Sequence, residues 1–365
     1  MHSSHITVVI SAGQSRNPEK RALEQAIASG AGELDGVRVL CVPHLYDLAR
    51  DGETYQALQQ LSGDIVLVSW MFPRAAHWII DRNGVGGQFG MVELQAESDE
   101  EEETEERQLH EERVTLSQPR PERVIYTLDF RASPAASAFI EEIQRIAILS
   151  RATQAVQRAS TPLTLEMLNH YEQPTNDTYL GANAGAAHSI QAAQPAVASL
   201  FGSTSVATIE EHPARRWYPV IDFSRCTNCM ECIDFCLFGV YGIDAVETIV
   251  VEQADNCRKG CPACSRVCPQ NAIIFPQHKS PAIAGAPVDA GGLKIDLSKL
   301  FGAPDEGEDA AAAAVRERDE QLRLAGRQAV GASTGLSQRL LNPDSQAGQA
   351  DQLDALIDQL DALDL

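Results

Sequence analysis

The sequence predicts an α/β fold, a parallel sheet covered by helices, joined to a small cysteine-rich α+β unit. Three observations predict it. Short β-branched runs alternate with helical stretches through residue 149, eight of the nine cysteines fall between Cys226 and Cys268, and the acidic excess is concentrated in two segments without a core pattern.

The elements follow in order. Ile6 to Ile10 is a β-branched strand, and the loop Ser11 to Pro18 leads into a helix over Glu19 to Ser29, where Leu23, Ala26 and Ile27 recur at helical spacing. Pro18 suits a first helical turn because its missing N–H has no partner there anyway. Val37 to Val42 reads as a second strand, Thr54 to Leu61 as a second helix and Asp64 to Ser69 as a third strand. Val124 to Phe130 resumes the pattern as a strand, and Pro134 to Leu149 as a helix carrying Phe139, Ile143, Ile146 and Ile148. Residues 1–149 therefore form one α/β domain, interrupted at 93–122 by an acidic insertion too charged to pack, which is expected to be disordered. Residues 150–215, rich in Ala, Gln, Ser and Thr, read as a connector, with some helix expected, for example over Thr164 to Asn169. A cysteine-rich unit occupies 216–278. Residues 279–365 read as a disordered acidic linker and tail, ending in an amphipathic helix with Leu353, Leu356, Ile357, Leu360 and Leu363 on one face.

Charge narrows the function classes. The 365 residues hold 51 acids and 29 bases, a net charge of −22, which argues against nucleic acid as a partner because phosphate-backbone binding needs clustered Lys and Arg. Most of that charge belongs to the runs Glu97 to Glu112 and Phe301 to Leu365, so the expected folded part is nearly neutral. The start of the chain has neither a basic region nor a long apolar stretch, and the longest apolar run, Ile65 to Phe72, is well short of the ~20 residues that span a bilayer. A soluble, cytoplasmic protein without a membrane span is expected.

In such a chain, clustered cysteines read as metal ligands rather than disulfides. Their spacing is Cys226-x2-Cys229-x2-Cys232-x3-Cys236, then Cys257-x3-Cys261-x2-Cys264-x3-Cys268-Pro269. Zinc also accepts four thiolates, but its structural sites usually pair two C-x2-C arms across a longer loop. Three cysteines within seven residues suit an iron–sulfur cubane better. The segment resembles a bacterial-type ferredoxin with two 4Fe-4S clusters. That resemblance implies that Cys226, Cys229, Cys232 and Cys268 bind one cluster, and that Cys257, Cys261, Cys264 and Cys236 bind the other. It also implies paired strands at Pro219 to Asp222 and Ala272 to Phe275. The sequence departs from the pattern at two points: three residues separate Cys257 from Cys261, and Leu237 stands where a proline often follows. Gly260 tolerates positive φ and lets the longer loop close. Complete thiolate ligation points to one-electron transfer with a redox partner protein.

The loop after the first strand lies where α/β folds bind anions or small ligands, although it has neither a dinucleotide fingerprint nor a Walker A pattern. With Ala12-Gly13-Gln14-Ser15-Arg16 here and Phe72 to His77 after the third strand, residues 1–149 also resemble the small sirohydrochlorin chelatases. Gly13 stands where that family's first metal-binding histidine belongs. The resemblance leaves His77 as the catalytic candidate and His44 as an outside helper. The leading expectation is an electron carrier whose α/β domain binds a partner or ligand. The alternatives are a ferredoxin-coupled enzyme with a tetrapyrrole or metal site, and a zinc-stabilised interaction protein.

Overall fold

The computed structural model describes residues 5–95, 113–118, 120–160, 201, 204–286, 310–332 and 334–336, excluding the side chains of 117 and 154–160. The expectations for 97–112, 164–169 and 353–363 lie outside the described residues. A parallel sheet is built from β1 (Ile6–Ser11), β2 (Val37–Val42), β3 (Ile65–Ser69), β4 (Gln88–Phe89), β5 (Val124–Asp129) and β6 (Val206–Thr208), in the spatial order β4-β5-β3-β1-β2-β6. The short β4 had no counterpart in the sequence reading.

Alternation along the strands gives the sheet two apolar faces, as expected for strands covered on both sides. Val8, Ile10, Val39, Val66 and Val68 face α1 (Pro18–Gly32) and α5 (Ala136–Ser160), packing on Ile27, Phe139, Ile143 and Ile146. Val9, Leu40, Ile65 and Leu67 face the other way, towards α2 (Glu53–Gln59) and α3 (Pro73–Arg82). Asn17 caps α1, its side chain accepting from Glu19 N at 2.8 Å. Gly30 marks where α1 approaches α5, since a Cβ there would stand 2.3 Å from Ile140 Cδ1.

The second apolar face does not end at α3. It continues into the cysteine-rich unit, which comprises β7 (Val220–Ile221), α6 (Glu231–Phe235), β8 (Tyr241–Ile243), β9 (Ile249–Val251), α7 (Ala263–Val267) and β10 (Ile273–Ile274). β7 pairs antiparallel with β10, and β8 with β9. Tyr46 and Tyr218 stack at 4.3 Å and exchange hydrogen bonds. Tyr218 N donates to Tyr46 Oη at 2.7 Å, and Tyr218 Oη donates to Tyr46 O at 3.0 Å. Arg74 on α3 pairs with the buried Asp222, and Trp78 meets Phe223 edge-on.

Three segments differ from the sequence reading. Val206–Thr208, read as connector, is the edge strand of the sheet, with Leu40 opposite Ala207. Three residues offer too short a window for a strand period, and only the exposed edge of β2 gives them their partner. The ends of the acidic insertion are also ordered. Val92 and Leu94 pack on the α1/α5 face, while α4 (Val114–Ser117) docks on the cysteine-rich unit through Val114 N to Cys226 O at 3.0 Å. In the acidic tail, α9 (Ala310–Leu324) packs against α7, after the single turn α8 (Pro281–Ala284). Its buried stripe of Ala311, Ala314, Arg318 and Leu322 has helical spacing, but small residues and an arginine hide it from an apolar-periodicity reading. Among the described residues no helix is long and apolar enough to cross a membrane.

Candidate functional site

Each cysteine group sits on a tight loop followed by a single helical turn. In the first loop Asn228 and Met230 adopt φ of 59° and 63°, the left-handed region that lets three side chains within seven residues turn to one side. Asn228 stabilises that turn. Its Nδ2 donates to Glu247 O at 2.8 Å, and its Oδ1 accepts from Ile249 N at 2.9 Å, tying the loop to the β8–β9 hairpin. In the second loop Gly260 has φ of +86°, as the extra residue between Cys257 and Cys261 demands.

Cys226, Cys232, Cys261 and Cys264 are buried, Cys236, Cys257 and Cys268 half-buried, and Cys229 exposed. Burial pushes Cys226 and Cys261 up to about 11 and raises Cys232, Cys257, Cys264 and Cys268 as well. After burial, the thiols raise one another in two sets. Cys226 and Cys232 feel Cys268 and Cys229, whereas Cys257, Cys261 and Cys264 feel Cys236. A narrow cavity lined by Cys236, Cys257, Cys261 and Cys264 is closed by Phe235, Phe238, Val240 and Tyr241. The fourth cysteine of the first group thus belongs spatially with the second group.

Donors already point at the sulfurs. Asn228 N lies 3.4 Å from Cys226 Sγ, Ala272 N lies 3.3 Å from Cys268 Sγ, and Tyr241 Oη donates to Cys264 Sγ at 3.1 Å. Such donors favour a charged sulfur and lower the electron density that it gives to a metal. Buried thiols with raised pKa ionise only against a cationic centre, so soft donors in a dry cavity fit an iron–sulfur group. Among the described residues no three His, Cys, Asp or Glu side chains close tightly enough to hold a single metal ion. The fit therefore rests on donor type, burial and grouping rather than on closed coordination.

His77, the catalytic candidate from sequence, is placed differently. It is 0 % exposed, stacks on Phe89 at 3.6 Å, and has no hydrogen-bond partner for either ring nitrogen among the described residues. Burial, aided by Arg120, pushes its pKa down to about 3 and keeps it neutral. It lines no described cavity. The cavity beside the first α/β loop does not have His77 among its lining residues.

The cleft of that loop is formed by other residues. About 570 Å³ at the carboxyl edge of β1 and β2 is lined by Gly13, Gln14, Arg16, Arg21, His44, Asp47 and Arg215, among others. Glu24 shapes the loop, accepting from Gly13 N at 2.9 Å and Trp70 Nε1 at 2.7 Å. Gly13 is required because a Cβ there would stand 2.7 Å from Trp70 Cδ1. Asp47 joins the cleft to the cysteine-rich unit through Arg216 N at 3.2 Å and Gln277 Nε2 at 2.8 Å. Burial alone would raise its carboxyl, but hydrogen bonds from His44, Arg216 and Gln14 outweigh that and hold it below its ordinary value. Sequence reasoning reached the loop and His44 but missed Arg215 and Asp47, which join the site only through the tertiary fold.

The chain is similar to an uncharacterised ferredoxin of Methanocaldococcus jannaschii, 46 % identical over 77 residues that make up 20 % of this chain and 52 % of the relative. It thus spans about half the length of that relative. No family model and no solved structure matches.

Proposed function

We propose that this chain is an iron–sulfur electron-transfer protein with two 4Fe-4S clusters, one on Cys226, Cys229, Cys232 and Cys268, the other on Cys257, Cys261, Cys264 and Cys236. The observation that carries the reading is the single cavity that Cys236 shares with Cys257, Cys261 and Cys264, one cysteine from the first group among three from the second. The similarity to a ferredoxin supports the same chemistry. When bound, such clusters each store and release one electron. The protein supplies the rest: thiolates hold the iron, the Asn228 and Ala272 amides and the Tyr241 hydroxyl offset charge on sulfur, and Phe235, Phe238 and Val240 exclude water. With every ligand position filled by cysteine, the exchange is with a redox partner protein rather than with a substrate bound to iron. Anaerobic purification and metal analysis test this. About eight iron per chain, the content of two cubanes, is expected; about two zinc per chain and no colour would replace the reading with a zinc-stabilised interaction protein.

A second reading concerns the cleft. Arg16, Arg21 and Arg215 around 570 Å³ beside the start of α1 favour a small oxyanion ligand, carried as phosphate or carboxylate. Trp70 stands against the loop and reports on it. Titration with inorganic phosphate should give a saturable change in tryptophan fluorescence that Arg16→Ala and Arg215→Ala each weaken; unchanged fluorescence throughout would remove the ligand role.

A further inference from the structure

α9 carries a buried cation to the wall of the second cysteine cavity. Its alanines allow a close approach: Ala314 packs with Phe235, Cys261, Ala263 and Val267, while Val315 and Leu336 close the edge. Inside this dry contact lies Arg318, 1 % exposed, with its guanidinium 4.4 Å from the centre of the Phe235 ring. Arg318 lines the same cavity as Cys236, Cys257, Cys261 and Cys264.

The chain beyond α9 is folded to hold that side chain. Nη1 donates to Thr334 O and Nη2 to Gly331 O, both at 2.7 Å, and Nε reaches Asp319 Oδ1 at 3.3 Å. Asp319 in turn accepts from Gly331 N at 2.8 Å. Positive φ at Gly326, Gly331 and Gly335 turns the chain after α9, bringing the Gly331 and Thr334 carbonyls onto the guanidinium. Burying an arginine costs several kcal/mol of desolvation, and an apolar side chain would fill the space more cheaply. Fixing a charge that cannot be shed beside four cysteines is therefore an expensive arrangement if packing is its whole purpose.

We propose that Arg318 is the charge partner of the cluster held by Cys257, Cys261, Cys264 and Cys236, raising that cluster's reduction potential. This rests on the two-cluster reading above. Reduction adds an electron, and a fixed cation across a low-dielectric wall favours the more negative state. Two neighbouring acids offset it only in part, since Asp319 pairs with Arg318 at 3.3 Å but, unlike Arg318, does not line the cavity. Glu317, which opposes Arg318 at Cys261, is itself paired with Arg266 at 2.9 Å through both oxygens, and Asp319 is drawn to the backbone of Gly331. Arg258 and Arg327 also face the site, over Phe238 at 5.5 and 5.8 Å. Arg258 lies near the surface, where solvent screens its charge. Arg318 is thus a positioning residue that tunes the second cluster.

The test compares the full-length anaerobic protein with its Arg318→Gln and Arg318→Lys variants. Gln keeps an amide donor for the Gly331 and Thr334 carbonyls but removes the charge, while Lys keeps the charge. Potentials are read by EPR-monitored redox titration, with iron content measured alongside. The expected result is full iron in all three proteins, a lower potential for one cluster in Arg318→Gln with the other unchanged, and a potential in Arg318→Lys near that of the wild type. Equal behaviour of Gln and Lys, whether both shift or neither does, overturns the proposal and leaves α9 a structural cap. A wild-type chain that holds zinc or no metal instead overturns the cluster reading and this proposal with it.

Discussion

His77 shows how burial decides the role of a titratable side chain. Folded, it stays neutral down to about pH 3; unfolded, it protonates near 6.5. The unfolded chain therefore binds the extra proton between those values, and stability falls as pH falls through that window, by at most about 1.4 kcal/mol per unit. His77→Phe keeps the stack on Phe89 and removes this slope. Urea unfolding at pH 7 and pH 5 should show the wild type losing about 2 kcal/mol more than the variant on acidification. Arg74 makes the opposite point. It pairs with Asp222, donates to Asn271 O, and so joins α3 to the residues that flank the β7–β10 pair. Arg74→Met would leave the buried Asp222 carboxylate without its close cation, with only Arg225 3.8 Å away. A loss of about 3–5 kcal/mol in urea unfolding is expected, partly recovered by adding Asp222→Asn.

At the level of elements, local signals and tertiary support divide the fold. α1 announces itself in sequence through Asn17, Pro18 and its helical spacing, and Asn17→Ala should cost about 1 kcal/mol by removing the cap, read as a lower denaturation midpoint. β6 and α4 announce nothing. Three and four residues long, they exist because β2 offers an unpaired edge and the first cysteine loop offers Cys226 O. α5 also runs past its expected end, to Ser160. α9 was invisible for another reason. A stripe of alanines buries little area per residue, and its central buried side chain is an arginine, which a hydrophobic pattern counts as surface.

For the whole molecule, the shared core predicts how the chain comes apart. The aromatic and apolar contacts across Tyr46, Tyr218, Trp78 and Phe223 are continuous with those around the cysteines. Stripping iron with a chelator under anaerobic conditions should therefore lower the thermal midpoint of the sheet as well as that of the cysteine-rich unit. Tryptophan fluorescence, which includes Trp70 and Trp78 in the sheet domain, should follow the same transition as the visible absorption of the clusters. A sheet that melts at an unchanged temperature after iron removal would show that the shared core couples the two units only weakly.

The sequence by itself determined the α/β alternation, the central strands and the ferredoxin-like spacing of eight cysteines. These signals are local: strand and helix periods repeat within a few residues, and thiol spacing is a covalent fact. Only the tertiary structure decided that the cysteine-rich unit shares a core with the sheet, that His77 is an interior residue while Arg215 and Asp47 line the cleft, and that Arg318 stands at the wall of the second cavity. Burial and long-range pairing depend on what the rest of the chain brings alongside, and in a single strand of letters Arg318 looks like any solvated charge.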